Sequence, residues 1–241
     1  MYYSGRQKLW ILREVSLPPM KNKTPMPTLD EERALYADGY QFIAGVDEAG
    51  RGSIFGPVCV GMVVLPSQNL DDLVQELNEV RDSKKISRPK VYRLSEKIKE
   101  VAVSWGVGAA SAQEVDKIRI TAAVSEAGYR AYADLQNHTP LKIDYLLTDS
   151  RMNLSKLALP AKAIVKGDML CLSIACAAIL AKTQHDILVR QLAEQYDEVY
   201  QLQTNVGYGT AAHIYAVRKY GHTDHHRKTF ILKARQLPLP E

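Results

Sequence analysis

The chain comprises 241 residues, of which 46% are hydrophobic and 24% charged, as in ordinary globular proteins. This length suffices for one large hydrophobic core or two small ones. The sequence contains no uninterrupted run of 18 apolar residues, so we expect neither a transmembrane helix nor a membrane partner. The net charge of +4 comes from residues 1–28, which hold five Lys/Arg and one Asp/Glu, because the remainder holds 26 of each sign. A nucleic-acid surface therefore needs local segregation of charge rather than a global excess.

Residues 1–28 contain four prolines and no sustained periodicity, which predicts a flexible basic tail. One compact α/β domain is expected over residues 29–241. The three cysteines cannot form a complete disulfide framework and lack zinc-binding spacing, so we expect them to be buried small hydrophobic residues. Since no secretory segment is apparent, we expect a cytoplasmic protein. We also expect a monomer.

Sequence periodicity predicts five strands and five helices after residue 40. Short apolar segments, the first two separated by the turn residues Gly56-Pro57, predict strands at 41–47, 58–65, 101–110, 143–148 and 161–165. Helical spacing and capping residues predict helices at 70–80, 88–100, 121–136, 172–195 and 211–220. Three strands followed by alternating helices and strands indicate an α/β fold, a mixed sheet with helices on both faces.

The most informative segment is GVDEAGRGSIFGP, residues 45–57. An apolar strand runs directly into Asp47 and Glu48, and three glycines follow within eight residues. Strand side chains alternate between faces, so the two carboxylates can converge only if the strand ends there. The glycines permit such an end and leave the backbone bare for the close approach of a ligand. No Rossmann fingerprint, P-loop or nucleophilic serine motif occurs.

Two further acids, Asp149 and Asp168, follow the ends of predicted strands. With Asp47 and Glu48 they place four carboxylates at three strand ends, and hard divalent cations require clustered oxygen ligands of this kind. The sequence therefore predicts a divalent-metal site.

Asp186 competes with Asp168 for the fourth place. The two lie 18 residues apart, mostly along one predicted helix, so roughly 20–27 Å separates them. Both cannot ligate one pair of ions about 4 Å across. Because Asp186 also has Lys182 and Arg190 at helical spacing as partners, we choose Asp168.

The segment GVDEAGRG, with GP shortly after it, resembles the signature of the ribonuclease HII family. The first block is highly specific, and weaker blocks agree with it in order and spacing from residue 41 to about 230. The resemblance implies a ribonuclease H-like fold with a mixed five-stranded sheet. The weaker blocks are DSKK at 82–85, VKGD at 165–168, ILAK at 179–182, GYGT at 207–210 and HR at 226–227.

The resemblance also implies an active site of four acids, corresponding to Asp47, Glu48, Asp149 and Asp168. These would hold two Mg²⁺ or Mn²⁺ ions, one lowering the pKa of an attacking water and the other stabilising the leaving 3′ oxygen. The implied substrates are RNA–DNA hybrids and duplex DNA with embedded ribonucleotides, cut on the 5′ side to give a 3′-hydroxyl and a 5′-phosphate. The implied roles are ribonucleotide removal in DNA repair and RNA primer removal.

Four residues correspond to substrate contacts in the family. The counterparts of Gly50, Arg51 and Gly52 contact the ribose 2′-hydroxyl through closely approaching backbone. The counterpart of Tyr208 packs on the sugar that follows the ribonucleotide, which favours RNA–DNA junctions.

The run 81–99 carries eight Lys/Arg against two Asp/Glu, and we expect it to hold phosphates, with Ser83 and Lys84 as the foremost contacts. A solvated helix face is the alternative for most of this run. His226 and Arg227 are expected beside the substrate or as caps of local structure.

Several residues depart from the family pattern without touching the four acids. Ser150 stands where the family usually has Gly, and Asn205 and Val206 replace the usual His-Lys, which removes a cation. Cys176 and His185 replace a more common Ala and Arg. These departures bear on substrate preference rather than on the catalytic acids.

Three alternatives remain. Ribonuclease HIII has similar chemistry but acts poorly on single embedded ribonucleotides, and it carries a substantial additional N-terminal domain. A catalytically silent nucleic-acid-binding domain would have no need for clustered, mutually repelling acids. A scaffolding protein has no positive feature in the sequence.

Overall fold

The computed structural model describes residues 26–80, 87–149 and 152–234. All five predicted strands are present, and each end shifts by no more than three residues. The strands are β1 (Ile43–Ala49), β2 (Val58–Val64), β3 (Ser104–Ala110), β4 (Tyr145–Asp149) and β5 (Ala161–Ile164). The helices are α1 (Asp30–Ala37), α2 (Leu70–Glu76), α3 (Arg88–Val101), α4 (Ala112–His138), α5 (Gly167–Leu170), α6 (Leu172–Ala193), α7 (Asp197–Tyr200), α8 (Leu202–Asn205), α9 (Ala211–Tyr220) and α10 (Lys228–Ala234).

The strands form one mixed sheet in the order β3-β2-β1-β4-β5. The pairs β1–β2 and β2–β3 are antiparallel, whereas β1–β4 and β4–β5 are parallel. This confirms the predicted α/β architecture of five strands. The parallel half brings the carboxyl ends of β1, β4 and β5 to the same edge of the sheet.

Helices cover both faces of the sheet, as predicted. The side chains of β2 alternate, so that Val60 and Met62 join a core with α4, while Val63 joins a second core with α6 and α3. Glycines in the strands allow the two long helices to approach closely. A Cβ on Gly108 would lie 2.1 Å from the Ala127 carbonyl oxygen of α4, and one on Gly61 would lie 2.3 Å from the Ala177 carbonyl oxygen of α6.

A third core joins the C-terminal helices to the loop after β1. Phe55 is buried among side chains of α6, α7, α9 and α10, including Val189, Tyr200 and Val217. This core holds the short helices α7 and α8 in place. Sequence periodicity did not predict them, because four residues are too few to show a helical period.

The predicted helix 121–136 begins earlier than expected, at Ala112. Ser111 caps it by accepting from the Glu114 N–H, and the Glu114 carboxylate accepts from the Ser111 N–H in return. A non-helical residue at Arg119 interrupts it, with φ of 71°, and this break hid the first segment from the periodicity.

The helix α6 is long and apolar enough to cross a membrane by length and composition, although polar residues interrupt its sequence. In the structure 78% of that apolar window is buried inside the protein, because the helix packs on β1 and β2. It is the central core helix of the domain. The three cysteines are free and buried, as predicted.

The structure describes residues 26–28 of the predicted tail, and residues 1–25 lie outside the described part. The Thr28 N–H donates to the Leu170 carbonyl at 2.9 Å, and the Thr28 carbonyl accepts from the Leu172 N–H at 2.8 Å. The segment directly before α1 therefore pairs with the connection between α5 and α6.

Candidate active site

Four acids line one cleft at the edge where the parallel strands end. The strands β1 and β4 are parallel neighbours, and the residue before Asp47 pairs with the residue before Asp149. Glu48 follows Asp47, and Asp168 lies on α5 directly after β5. All four border a cleft of about 850 Å³. The structure thus brings together every acid that the sequence singled out for the metal site.

Three of these acids lie close enough to share a cation. Oxygen atoms of Asp47, Glu48 and Asp149 all lie within 4.8 Å of one another. Asp168 borders the same cleft but lies outside this set of three. The Gly167 N–H donates to Asp149 Oδ1 at 3.3 Å, which ties the loop that carries Asp168 to the end of β4.

The electrostatics of the cluster favour a cation. Burial and the neighbouring charge of Glu48 raise the pKa of Asp47 well above its ordinary value, and the charges of Asp149 and Asp168 add to this rise. The Glu48 N–H donates to Asp47 Oδ1 at 2.7 Å, which opposes the rise without cancelling it. A divalent ion among these oxygens would relieve the repulsion that burial intensifies.

Glu48 also presents an oxygen that needs a partner. Its Oε1 accepts from Arg51 Nε at 2.6 Å, whereas its Oε2 is buried and accepts no hydrogen bond from the described residues. A buried carboxylate oxygen without a partner is costly, and a cation in the cleft would satisfy it. The residues present therefore fit a divalent metal.

Asp186 does not line the cleft, and its carboxylate is paired with Lys182, which does. Lys182 Nζ donates to both of its carboxylate oxygens, at 2.9 and 3.0 Å, and His185 Nδ1 lies 3.3 Å from Oδ1. Burial raises the pKa of Asp186, but the hydrogen bonds from His185 and Lys182 outweigh it and hold the pKa below its ordinary value. The expected second partner is wrong, because Arg190 instead donates to the Tyr92 hydroxyl at 3.4 Å.

The loop after β1 rests on His185. Gly50 has a φ of +77°, and a Cβ there would lie 2.2 Å from His185 Cδ2, so this position requires glycine. Ser53 Oγ lies 3.2 Å from His185 Nε2, and both residues are buried. Gly52 differs, since nothing lies within 4 Å of its Cβ position. Its backbone is bare toward the cleft.

Tyr208 borders the cleft beside this loop and is 36% exposed. The N–H groups of Ile54 and Phe55 both donate to the Gly207 carbonyl, at 2.9 and 3.1 Å. The loop after β1 and the Tyr208 segment are therefore one hydrogen-bonded unit.

The expectation that His226 and Arg227 cap local structure fits their burial. Arg227 is fully buried, and it donates to the Gly56 carbonyl through Nε and to the Arg51 carbonyl through Nη1, both at 3.0 Å. It holds the glycine loop from behind.

Other predicted positions fall differently. Ser83, Lys84 and Ser150 lie outside the described residues. Val206 is buried with a φ of 43°, and Asn205 accepts from the Gly207 N–H, so this pair shapes the turn before Tyr208. Among the polar residues that line the cleft, sequence reasoning did not single out Lys166, Lys182 and Thr204, although the first two lie in its motif blocks. Arg88 also lines the cleft, and the sequence included it only as one member of the basic run 81–99.

Comparison with known proteins identifies the family. The family model described as ribonuclease HII matches residues 44–233. A ribonuclease HII of Caldanaerobacter subterraneus subsp. tengcongensis is 38% identical over 227 residues, covering 94% of this chain and 86% of the relative. The chain belongs to the ribonuclease HII family. A second ribonuclease HII, from Roseiflexus castenholzii, is 43% identical over 204 residues, which cover 85% of this chain and 88% of that protein.

Solved ribonucleases H share the fold. A ribonuclease HII from Archaeoglobus fulgidus, solved as a complex with PCNA, superposes with a TM-score of 0.61 at 24% identity, over 78% of this chain and 94% of that one. Bst-RNase HIII, solved with Mn²⁺, superposes with a TM-score of 0.62 at 17% identity, over 81% of this chain and 70% of that one. At these identities the likeness shows the ribonuclease H-like fold alone.

As a member of the ribonuclease HII family, the protein is a ribonuclease H, a hydrolase with endonuclease activity on nucleic acid. The family requires a divalent metal, and the cluster of Asp47, Glu48 and Asp149 can bind one.

Proposed function

We propose that this protein hydrolyses the RNA strand of RNA–DNA hybrids and nicks duplex DNA on the 5′ side of an embedded ribonucleotide, leaving a 3′-hydroxyl and a 5′-phosphate. The observation that carries the proposal is the cluster of Asp47, Glu48 and Asp149 oxygens within 4.8 Å of one another, beside the exposed backbone of Gly52. A phosphodiester bound at the acids would place its ribose within reach of this loop. We further propose a monomeric cytoplasmic enzyme of ribonucleotide repair and primer removal.

Two Mg²⁺ or Mn²⁺ ions, held by these three acids and Asp168, would lower the pKa of the attacking water and stabilise the leaving 3′ oxygen. Neighbouring residues of the chain hold these acids in position. Asp47 and Asp149 are fixed by adjacent parallel strands, and Glu48 is held by Arg51. No covalent nucleophile is needed.

The glycine loop and Tyr208 are proposed to read the substrate. Peptide groups at Gly50, Arg51 and Gly52 can approach a 2′-hydroxyl, the group that distinguishes RNA from DNA. The exposed ring of Tyr208 borders the same cleft and offers a flat surface for the following sugar. Support for this pairing comes from the hydrogen bonds that join the loop to the Tyr208 segment.

One assay tests the proposal directly. A DNA duplex with a single ribonucleotide is incubated with the protein and Mg²⁺, Mn²⁺ or EDTA, and the cleaved ends are mapped. We expect a metal-dependent nick on the 5′ side of the ribonucleotide and no product with EDTA. The Asp149→Asn variant is the matched control, because its amide oxygen can still accept from the Gly167 N–H while a charged ligand is lost.

The alternatives predict other outcomes in the same assay. Cleavage of a continuous RNA–DNA hybrid without nicking at the single ribonucleotide would indicate the substrate range of ribonuclease HIII. Binding of both duplexes without cleavage by either metal would indicate a silent nucleic-acid-binding domain, and the proposal would fail.

A further inference from the structure

The cationic side chains around the cleft differ in whether an acidic side chain already pairs with them. Among the residues that the structure describes, four Lys/Arg side chains line the cleft. Arg51 pairs with Glu48 at 2.6 Å, and Lys182 pairs with Asp186 at 2.9 Å. The remaining two, Arg88 and Lys166, form no ion pair within the described part of the chain. They are the cleft cations whose charge is not offset by a described acid.

Within residues 87–99, Arg88 is the basic residue that lines the cleft. In its described part, Lys90 and Arg93 both pair with Glu79, at 2.6 and 2.5 Å. Lys99 pairs with Glu96 at 2.8 Å, and Lys97 donates to a backbone carbonyl of α2. The expectation that this run as a whole holds phosphates therefore narrows, within residues 87–99, to Arg88.

Arg88 is held in place by the chain segment that leads to Tyr208. Its Nη1 donates to the Gln203 carbonyl at 2.9 Å, and its Nη2 donates to the Thr204 carbonyl. Thr204 itself lines the cleft. Two carbonyl anchors fix the guanidinium before any substrate arrives, so less side-chain entropy is lost when an anion binds.

The anchored guanidinium keeps binding capacity. A guanidinium has five N–H donors, and the two carbonyl bonds leave others for an anion. Its planar array of donors matches the geometry of phosphate oxygens. The turn that contains Val206 is apolar at this position, and Arg88 brings a positive charge to the segment directly before it.

We propose that Arg88 binds a backbone phosphate of the nucleic-acid substrate on the Tyr208 side of the cleft. This inference rests on the proposed function, since it requires a nucleic-acid duplex in the cleft. Arg88 is then a binding residue that positions the duplex, rather than a structural residue that only connects α3 to α8.

The test is the salt dependence of binding. Each phosphate contact releases counterions and contributes a slope of about −0.9 to the plot of log K against log[salt]. In an Asp149→Asn background that prevents cleavage, the affinity for a fluorescent duplex with one ribonucleotide is measured from about 50 to 200 mM salt. We expect Arg88→Gln, whose amide can still donate to the carbonyls, to flatten the slope by about 0.9. Arg88→Lys should keep most of the slope.

A matched control lies on the same helix. Lys97 is also half-buried and donates to a backbone carbonyl, Glu76, at 2.5 Å, but it does not line the cleft. Lys97→Gln should leave the slope unchanged. If Arg88→Gln leaves the slope unchanged, as Lys97→Gln is expected to do, the proposal is overturned and Arg88 has only a structural role.

A second pair of variants keeps the test decisive if Arg88→Gln does not fold. Thr204 is exposed beside the guanidinium, so Thr204→Glu should neutralise Arg88 and flatten the slope, whereas Thr204→Gln should not. Equal slopes for these two variants would overturn the proposal. Cleavage by the wild-type protein is assayed separately. If the wild type nicks the duplex but the slope does not change in the variants, only the proposed Arg88 contact is refuted. If the slope changes but the wild type does not nick the duplex, only the proposed activity is refuted.

Discussion

The Nε2 atoms of His213 and His226 lie 3.1 Å apart, and both rings are buried. The Thr223 N–H donates to Nδ1 of His226, so His226 carries its proton on Nε2 and donates it to His213. His213 therefore carries its proton on Nδ1 and donates it to the Tyr208 carbonyl at 3.0 Å. Two neutral imidazoles thus connect the C-terminal segment to the cleft residue Tyr208.

This pair predicts a loss of stability in acid. Burial and the charges of His213, His222 and His225 lower the pKa of His226 from 6.5 to about 3. Below about pH 6.5 the unfolded chain binds a proton that folded His226 does not bind, so the free energy of unfolding falls as the pH drops toward 3. Urea unfolding from pH 7.5 to 5 should show a smaller loss for His226→Asn than for the wild type. The exposed His138→Asn, which is not among the groups that lower the pKa of His226, should match the wild type, and parallel profiles for His226→Asn would contradict the prediction.

Removal of the His213 donor should disturb Tyr208. His213→Ala should lower kcat/KM for a duplex with one ribonucleotide by about fivefold, the value of one hydrogen bond of roughly 1 kcal/mol. The loss for a continuous hybrid should be smaller. His213→Asn should recover part of the activity, because its amide can donate near the position of Nδ1. Equal losses on both substrates would mean that His213 supports the fold without acting through Tyr208.

The ring of Tyr208 should matter most at RNA–DNA junctions. Tyr208→Ala should lower kcat/KM for junction substrates by about tenfold, in the range of 1–3 kcal/mol typical of aromatic contacts with nucleic acid. Tyr208→Phe keeps the ring and should stay near the wild type. Steady-state kinetics on junction and continuous substrates measure the difference. The same loss on both would make Tyr208 a packing residue.

The acids of the site could be predicted because they lie near the ends of strands that the sequence itself reveals. The expectation that β1 ends at Asp47 is wrong, because its pairing with β2 continues through Glu48 to Ala49, and only its pairing with β4 stops before Asp47. Apolar residues run directly into Asp47, and parallel β1 and β4 then place Asp149 beside it. The sheet was predictable for a similar reason, since β2 is an apolar run of seven buried residues and β3 alternates between buried and partly exposed residues. Local patterns therefore carried both the fold class and the choice of Asp168 over Asp186.

The supporting contacts could not be predicted, because they join residues far apart in the chain. Arg88 reaches carbonyls more than 100 residues later, and Arg227 reaches the carbonyl of Arg51 across 176 positions. Nothing in the local sequence of Arg227 distinguishes a buried anchor from a residue that contacts substrate. Only the tertiary structure shows that it holds the glycine loop from behind.

Substitution of Asp168 on α5 and of Asp186 on α6 should have different effects. Asp168→Asn should lower kcat by at least about 100-fold, in line with the loss of an electrostatic group at a reacting centre, while thermal stability is retained. Asp186→Asn should reduce kcat little but lower the free energy of unfolding by roughly 2–3 kcal/mol, because Lys182 loses the partner of a largely buried ion pair. Thermal unfolding and single-turnover rates separate the two. The reverse ranking of rates would place the fourth ligand at Asp186.

The two glycines that flank Arg51 should be required for different reasons, Gly50 for the fold and Gly52 for the approach of the substrate. In Gly50→Ala the new Cβ would meet His185 at 2.2 Å with a φ of +77°, so we expect a lower melting temperature and lost activity together. In Gly52→Ala the Cβ meets nothing within 4 Å, so the melting temperature should stay that of the wild type. Cleavage at a ribonucleotide should nevertheless fall, because the methyl group blocks the approach of the ribose to the backbone. Wild-type kinetics for Gly52→Ala would show that the substrate does not approach this peptide, and the 2′-hydroxyl would then have to be read elsewhere.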